Sequence, residues 1–317
     1  MAGQRKAAVV LNPFAANGKA GKRWAAIEPR VRSVLGDYTL LRTERPWHAT
    51  ELVRQALRDG TELIVSVGGD GTHHEVLNGF FDGYMTINPA ARMAVFPQGT
   101  GSDFVRTLGL RDPETALDVL TKGHVRSIDV GRVTYTLPVS GTSVRYFINV
   151  ADFGMGGAVA ERTETQTKRF GSFATFLYAL VRTLLTFESP RISMQIDGEI
   201  LEQKTINVII ANGQYYGGGI HVAREAKLTG GQFEVYVIND LSVLSALVNL
   251  RHFYSGKYVE LDHLVKRFTA RRLVAQSDER VLLDLDGEQP GQLPCEVDIL
   301  PAALSLVVPE GHSALGE

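Results

Sequence analysis

Ten residues, Leu63-Ile64-Val65-Ser66-Val67-Gly68-Gly69-Asp70-Gly71-Thr72, restrict what this chain can fold into more than any other stretch. The aliphatic, β-branched start predicts a strand buried on both faces, and three glycines in four positions end it abruptly. Apolar spacing resumes at Val76 and Leu77, as a helix requires. Glycine permits positive φ and lets a ligand approach a backbone that carries no Cβ. Strand, glycine turn and helix N-terminus together form an anion cradle, because free N–H groups and the helix dipole both favour phosphate. An aspartate there would repel a bare phosphate, so Asp70 has to act through Mg²⁺, water or a hydroxyl. The competing reading is a glycine turn that holds no ligand.

Around this stretch, strands and helices alternate over the first 130 residues. Residues 7–11 read as a strand and 12–22 as a loop entering a helix. The Gly18-Lys19-Ala20-Gly21-Lys22 piece is not a P-loop, because Arg23 stands where a Mg²⁺-binding Ser or Thr belongs and the glycine spacing is wrong. Residues 37–43 predict a second strand ending at Thr43, and 47–58 carry apolar positions at helical spacing. Residues 93–97 form another buried strand before a second glycine loop at 98–102. Alternation of this kind predicts a parallel sheet covered by helices, with ligands outside the carboxyl ends of its strands.

Beyond residue 125 the texture turns β-rich. Segments 127–133, 145–150, 192–196, 206–212 and 233–238 read as strands, with turns at Asp197-Gly198 and Gly217-Gly218-Gly219. Segments 281–286, 295–300 and 303–308 complete a mainly antiparallel second domain. Two helices interrupt it. In 173–185 the residues Phe173, Phe176, Leu177, Leu180, Val181, Leu184 and Leu185 share one face, flanked or interrupted by Lys168, Arg169 and Arg182. That face either packs on its own core or forms a lip toward lipid. The second helix, 241–253, reads as packing.

Composition removes several function classes. With 21% charged residues and a net charge of −2, there is no basic excess for nucleic acid. The single cysteine, Cys295, excludes an internal disulfide and fits a packed thiol in a reducing cytoplasm. The apolar run at 7–11 is too short for a signal-peptide core, and no run approaches the roughly 18 to 20 apolar residues of a spanning helix. Membrane contact would therefore be peripheral. His73-His74-Glu75 lacks the second histidine of a zinc-protease helix, and neither Cys-x-x-Cys nor Gly-x-Ser-x-Gly occurs.

A further carboxylate pair lies in Leu285-Asp286-Gly287-Glu288, where Gly287 turns the chain so that both acids face one pocket. Phosphoryl transfer to an alcohol needs a base for the hydroxyl proton. The bland reading is an ordinary Asp-Gly hairpin.

These motifs carry a family resemblance. Gly68 to Thr72 resembles the nucleotide-binding signature shared by diacylglycerol kinases, sphingosine and ceramide kinases, and NAD kinases. Phe96-Pro97-Gln98-Gly99-Thr100-Gly101-Ser102-Asp103-Phe104-Val105-Arg106 resembles the second signature of bacterial lipid kinases, with Ser102 where asparagine is common and Val105 where alanine is common. Asn12-Pro13 with Gly18 and Lys19 resembles their N-terminal loop, and Asp286-Gly287-Glu288 their catalytic motif. The resemblance implies a three-layer, NAD kinase-like α/β nucleotide-binding domain at 1–132, completed by 303–317, and an antiparallel β-sandwich lipid domain at 133–302.

It further implies nucleotide contacts from Asn12, Lys19, Thr43, Gly68, Gly69, Asp70, Gly71, Thr72, Gly99, Thr100 and Ser102. Asp70, Asp103 and Asp129 would reach a catalytic Mg²⁺ through water, Asp286 would be the base and Glu288 its supporting acid. Glu225 would be one ligand of a structural metal in the 223–233 run, where Gly230 replaces the family's aspartate. The implied activity is transfer of the ATP γ-phosphate to a lipid hydroxyl, first of all diacylglycerol to give phosphatidic acid. A sphingosine- or ceramide-type kinase, a NAD kinase and a non-catalytic nucleotide-binding regulator are the alternatives. The implied partner is a lipid at the inner face of the membrane, with the protein cytoplasmic and peripherally attached and no nucleic acid bound. Oligomeric state stays open, a homodimer included.

Overall fold

The computed structural model describes residues 6–98, 103–110, 112–165, 172–241 and 264–316. The chain divides into two compact units, Met1–Asp129 with Pro301–Glu317, and Val130–Leu300.

Unit 1 is built on strands β1 (Ala7–Leu11), β2 (Tyr38–Arg42), β3 (Leu63–Gly68) and β4 (Arg92–Pro97). They lie parallel in the order β2-β1-β3-β4, with Ala7 opposite both Tyr38 and Leu63, and Leu63 opposite Arg92. The end of Gln292–Val307 adds a fifth parallel strand beside β4 through Ser305 and Leu306. All of β1 and five of six residues of β3 are buried, which explains their unbroken apolar sequences: helices cover both faces. The edge strand β2 is only half-buried.

The helices are α1 (Ala20–Leu35), α2 (His48–Arg58), α3 (Asp70–Gly79), α4 (Asp103–Thr107) and α5 (Pro113–Lys122). Helix α1 buries Trp24 edge-on against Phe96 of β4. Helix α2 buries Ala49, Val53 and Leu57, four residues apart on one face, and meets α3 where Gly79 leaves room for Val53. Helix α5 has its limits written in sequence. The Asp112 carboxylate accepts from the Thr115 N–H, proline opens the first turn, and Gly123 closes the helix in the left-handed region.

Unit 2 is a two-sheet sandwich. Its strands are β5 (Val125–Thr136), β6 (Thr142–Phe147), β7 (Val150–Gly154), β8 (Arg191–Ile196), β9 (Glu199–Ala211), β10 (Phe233–Asn239), β11 (Val265–Ala270), β12 (Arg272–Gln276), β13 (Leu283–Leu285) and β14 (Gln292–Val307). One sheet joins β6, β5, β14, β12, β8 and the start of β9; the other joins β11, β10, the rest of β9, β7 and β13. Strand β9 passes from one sheet to the other at an irregularity between Thr205 and Asn207. Its pairings within this unit, like those of its neighbours, are antiparallel.

Between the sheets lies an apolar core that includes Phe147, Phe153, Val208, Ile210, Phe233, Leu273, Leu285 and Val297. The second sheet is covered on its other face too, by a cluster that includes Val150, Ile209, Ala211, Tyr236 and Leu184. Burial on both sides accounts for the continuous run Ile206-Asn207-Val208-Ile209-Ile210-Ala211.

Three expectations change. Segments 295–300 and 303–308 belong to one sixteen-residue strand, β14, kinked at Ala302 with φ +52°. The single strand expected at 145–150 is two, because the N–H groups of Ile148 and Asn149 leave the sheet ladder to bond a carboxylate described below. In the helix Ser172–Thr186, Ala179, Thr183 and Leu184 are buried, whereas Tyr178, Val181 and Leu185 are exposed, so the expected apolar face is only partly covered. The side chains of 172–177, and the 242–263 segment that holds most of the other expected helix, lie outside the described residues. No helix among the described residues is long and apolar enough to cross a membrane.

Both tryptophans, Trp24 and Trp47, belong to unit 1, so their fluorescence reports that unit alone. Ile64 is fully buried in β3. Ile64→Ala will lower the stability of unit 1 by about 2–5 kcal/mol in a denaturant titration followed by tryptophan fluorescence. An unchanged midpoint would contradict the central position of β3.

Candidate active site

In unit 1 Asn12, Thr43 and Gly68 to Thr72 lie at the carboxyl ends of β1, β2 and β3. Strand β3 ends at Gly68, Gly69 is extended (φ −106°, ψ −173°), and α3 begins at once with Asp70. None of Gly68, Gly69 and Gly71 takes a positive φ, contrary to expectation. What demands glycine is space: a Cβ on Gly68 would stand 2.4 Å from Thr72 Oγ1. Thr72 Oγ1 in turn accepts from Asn12 Nδ2 at 3.0 Å, which ties the end of β1 to the first turn of α3. The Asn12 N–H donates to Val67, Gln98 N–H to Gly68 and Thr43 N–H to Leu11.

Asp70 links the starts of two helices. Its Oδ2 accepts from Asp103 N–H at 3.1 Å and its Oδ1 from Phe104 N–H at 3.2 Å, so one carboxylate from the start of α3 braces the start of α4. Asp103 is buried. Asp129, also buried, accepts from Ala302 N–H at 2.9 Å and fixes the bend of β14. Lys19 is exposed just before α1. Gly99, Thr100 and Ser102 lie outside the described residues.

Residues between these anchors are polar and buried. His73 has its Nδ1 2.7 Å from Ser66 Oγ, and burial pushes its pKa down to about 3. His74 packs edge-on against Trp47. Among the described residues no three His, Cys, Asp or Glu side chains are grouped to hold a metal. Carboxylate oxygens that accept one N–H retain a second lone pair, the chemistry an acceptor of metal-bound water needs.

In unit 2 the run 285–288 is a two-residue hairpin turn. Leu285 and Glu288 exchange main-chain bonds of 2.9 and 3.1 Å, and Asp286 (φ +53°) and Gly287 (φ +93°) are both left-handed, the pattern of a type I′ turn. Asp286 then reaches back to the corner between β6 and β7. Its Oδ2 accepts from Ile148 N–H at 2.9 Å and its Oδ1 from Asn149 and Val150 N–H, each at 3.0 Å. The half-buried carboxylate is thereby aimed by main chain, and Glu288 is half-buried on the far side of the turn. Asn149 itself holds Tyr215 O through its amide, and Asn212 holds Ile148 O.

Glu225 forms an ion pair with Arg267, which also bonds Glu234 at 3.1 Å. That pairing holds the Glu225 carboxyl below its usual range and raises Arg267 further.

Sequence reasoning missed two acids. Asp152 of β7 and Asp284 of β13 face each other in register and are buried. Period-two alternation carried the signal, because Leu283 and Leu285 point into the sandwich and the residue between them cannot.

A family model for the diacylglycerol kinase catalytic domain matches residues 6–133. A second, the YegS C-terminal NAD kinase beta sandwich-like domain, matches 149–308. The chain belongs to the YegS-type diacylglycerol kinase family. It is 24% identical over 312 residues to a diacylglycerol kinase of Bacillus subtilis, covering 96% of this chain and 97% of that one. A crystal structure of a diacylglycerol kinase from Bacillus anthracis superposes with a TM-score of 0.73 at 21% identity, covering 98% of this chain and all of that one. Yeast NADH kinase complexed with NADH shares the fold at a TM-score of 0.50 and 11% identity, over 100% of this chain and 88% of its own. These likenesses match the expected α/β unit and β-sandwich. This YegS-type kinase is a phosphotransferase with an alcohol as acceptor.

The buried His73 gives a pH signature. An unfolded histidine takes a proton near 6.5, whereas the folded ring stays neutral down to about 3. Its contribution to stability is therefore complete above 6.5 and is lost as pH falls through that window. Histidine-selective NMR will show no protonation step for His73 near 6.5, and tryptophan fluorescence will report falling unit 1 stability below it. A ring that titrates near 6.5 would refute the neutral, buried assignment.

Proposed function

We propose that the protein transfers the γ-phosphate of ATP, with Mg²⁺, to the hydroxyl of a membrane lipid, diacylglycerol first, giving phosphatidic acid. The observation that carries this reading is the Asp286 turn: a half-buried carboxylate aimed by three main-chain N–H groups and followed by Glu288. In it, Asp286 accepts the lipid hydroxyl proton and Glu288 supports that exchange. The corner at Gly68, Gly69, Asp70, Gly71 and Thr72 cradles the triphosphate, with Asn12, Lys19, Thr43, Gly99, Thr100 and Ser102 as further nucleotide contacts. Asp70, Asp103 and Asp129 hold metal-bound water, and Mg²⁺, when bound, offsets the charge of the triphosphate. The start of α3 directly after Gly68 and Gly69 supports this assignment, since the free N–H groups of a first helical turn favour an incoming phosphate.

A lipid acceptor is supported by the family and by the exposed Tyr178, Val181 and Leu185 beside Arg182 on one helix. An apolar strip with a cation suits peripheral contact with an anionic membrane, here the inner, cytoplasmic face.

Labelled ATP and Mg²⁺ offered with diacylglycerol, sphingosine, ceramide, phosphatidylglycerol and NAD will put label into diacylglycerol. Label in NAD alone would overturn the lipid reading. Asp286→Asn, checked for folding, will reduce kcat by about 10²- to 10⁴-fold; an unchanged rate removes Asp286 from the role of base. Sedimentation with anionic vesicles will show binding that weakens with salt and is reduced in Val181→Ser/Leu185→Ser. No binding at low salt would refute the membrane contact.

A further inference from the structure

Behind the Asp286 turn lie two acids for which the reaction has no use. Asp152 and Asp284 are directly opposed across β7 and β13. Their neighbours Ala151, Phe153, Leu283 and Leu285 fill the core between the sheets, so both carboxylates project from the opposite face. Asp152 is 1% exposed and Asp284 8%. The Asp152 carboxylate reaches under the start of helix α6 (Met155–Thr165), where a Cβ on Gly156 would lie 2.1 and 2.3 Å from its two oxygens. Glycine at 156 is what makes room for it.

The hydrogen bonding is lopsided. Asp284 Oδ1 accepts from Gly287 N–H at 2.6 Å, a bond that runs directly into the catalytic turn. No donor meets good hydrogen-bond geometry at either oxygen of Asp152, although the Gly157 N–H, the Tyr216 hydroxyl and Asn207 lie near enough to act on it. A buried carboxylate in that condition is costly, and two of them side by side cannot both be ionised.

We infer that Asp152 and Asp284 share one proton, and that this pair positions the Asp286–Gly287–Glu288 turn. With the proton present, Asp284 Oδ1 holds the Gly287 N–H while Asp152 lies opposite without net repulsion. With the proton gone, two like charges stand beneath a turn that already carries Asp286 and Glu288. The titration of such a pair belongs to both members.

The surrounding groups agree. Burial pushes Asp152 up to about 7. The Gly157 N–H, the Tyr216 hydroxyl and Asn207 pull it weakly the other way. Burial also raises Asp284, as do the charges of Asp152, Asp286 and Glu288, while the Gly287 N–H opposes them. Among the described residues no lysine, arginine or histidine acts on either acid. For an aspartate whose folded pKa is raised, the stabilising contribution is complete below about 3.8 and is lost as pH rises through about 7.

The proton-sharing half stands without reference to substrate; the positioning half rests on Asp286 as base. Two experiments on the full chain separate them. In the first, Tm is followed against pH for the wild type and Asp152→Asn. The wild type will lose Tm between about pH 4 and 7 relative to the variant, whose amide cannot ionise. Parallel curves overturn the shared proton, whatever the protein phosphorylates.

In the second, kcat and KM for ATP are measured for Asp284→Asn and Asp284→Ala. The asparagine variant keeps an acceptor for Gly287 N–H and will stay within about threefold of the wild type. The alanine variant will lose about ten- to a hundredfold in kcat with KM for ATP little changed. The alkaline limb of kcat against pH will move upward in Asp152→Asn. Equal kcat in Asp284→Asn and Asp284→Ala overturns the positioning role. Should Asp284→Ala fail to fold, the alkaline limb decides, and an unmoved limb overturns the role. An active Asp286→Asn with the Tm difference intact would fault only the base assignment.

Discussion

Main-chain N–H groups left over at strand ends are taken up by aspartate carboxylates, and the rest of the structure hangs on that arrangement. Asp70 receives the first N–H groups of α4, Asp286 those of the corner between β6 and β7, and Asp129 the N–H of Ala302. Asp197 does the same for Arg271 and Arg272 at the far end of the sandwich. Each corner departs from the regular ladder and exposes donors that water would otherwise have to satisfy. Carboxylates are strong acceptors, and a buried donor without one costs about 1–3 kcal/mol.

The arrangement has a functional corollary. Asp70 and Asp286, the two acids most exposed to the proposed chemistry, are also braces, so the geometry of the site and the integrity of the corner are one property. A carboxylate held by three N–H groups has no freedom to swing toward a misplaced acceptor. Glycine serves the same economy of space at Gly68 and Gly156, where the room left by a missing Cβ is filled by Thr72 and by the Asp152 carboxylate.

Much of this was legible in sequence because local rules and tertiary packing coincide. The 63–72 stretch reads as buried strand, glycine corner and helix start, and so it folds. Legibility fails where a partner distant in sequence decides. The break at Asn149 follows from Asp286, some 137 residues away. Glu225 is paired with Arg267, 42 residues later, a partner that no local pattern announces. The glycine corner at 68–71 suggests positive φ, whereas what Gly68 supplies is room for Thr72, a distinction visible only once Thr72 is placed. Val181 and Leu185 illustrate the opposite failure: a correct helical period does not say which apolar residues find a neighbour.

The buried pair at 152 and 284 bears on why an acid stands beneath the turn at all. Holding the Gly287 N–H needs only a carbonyl oxygen, and asparagine offers one without the penalty of desolvating a charge. Packing needs no carboxylate either, since the inter-sheet core lies on the other face of both strands. What an aspartate adds beyond an asparagine is a proton that can leave. Burial under α6 and mutual repulsion move that departure from the usual carboxylate range toward neutral pH, and Asp286 lies two residues further along the same chain. The acid at 284 thereby couples the ionisation of the core to the position of the base.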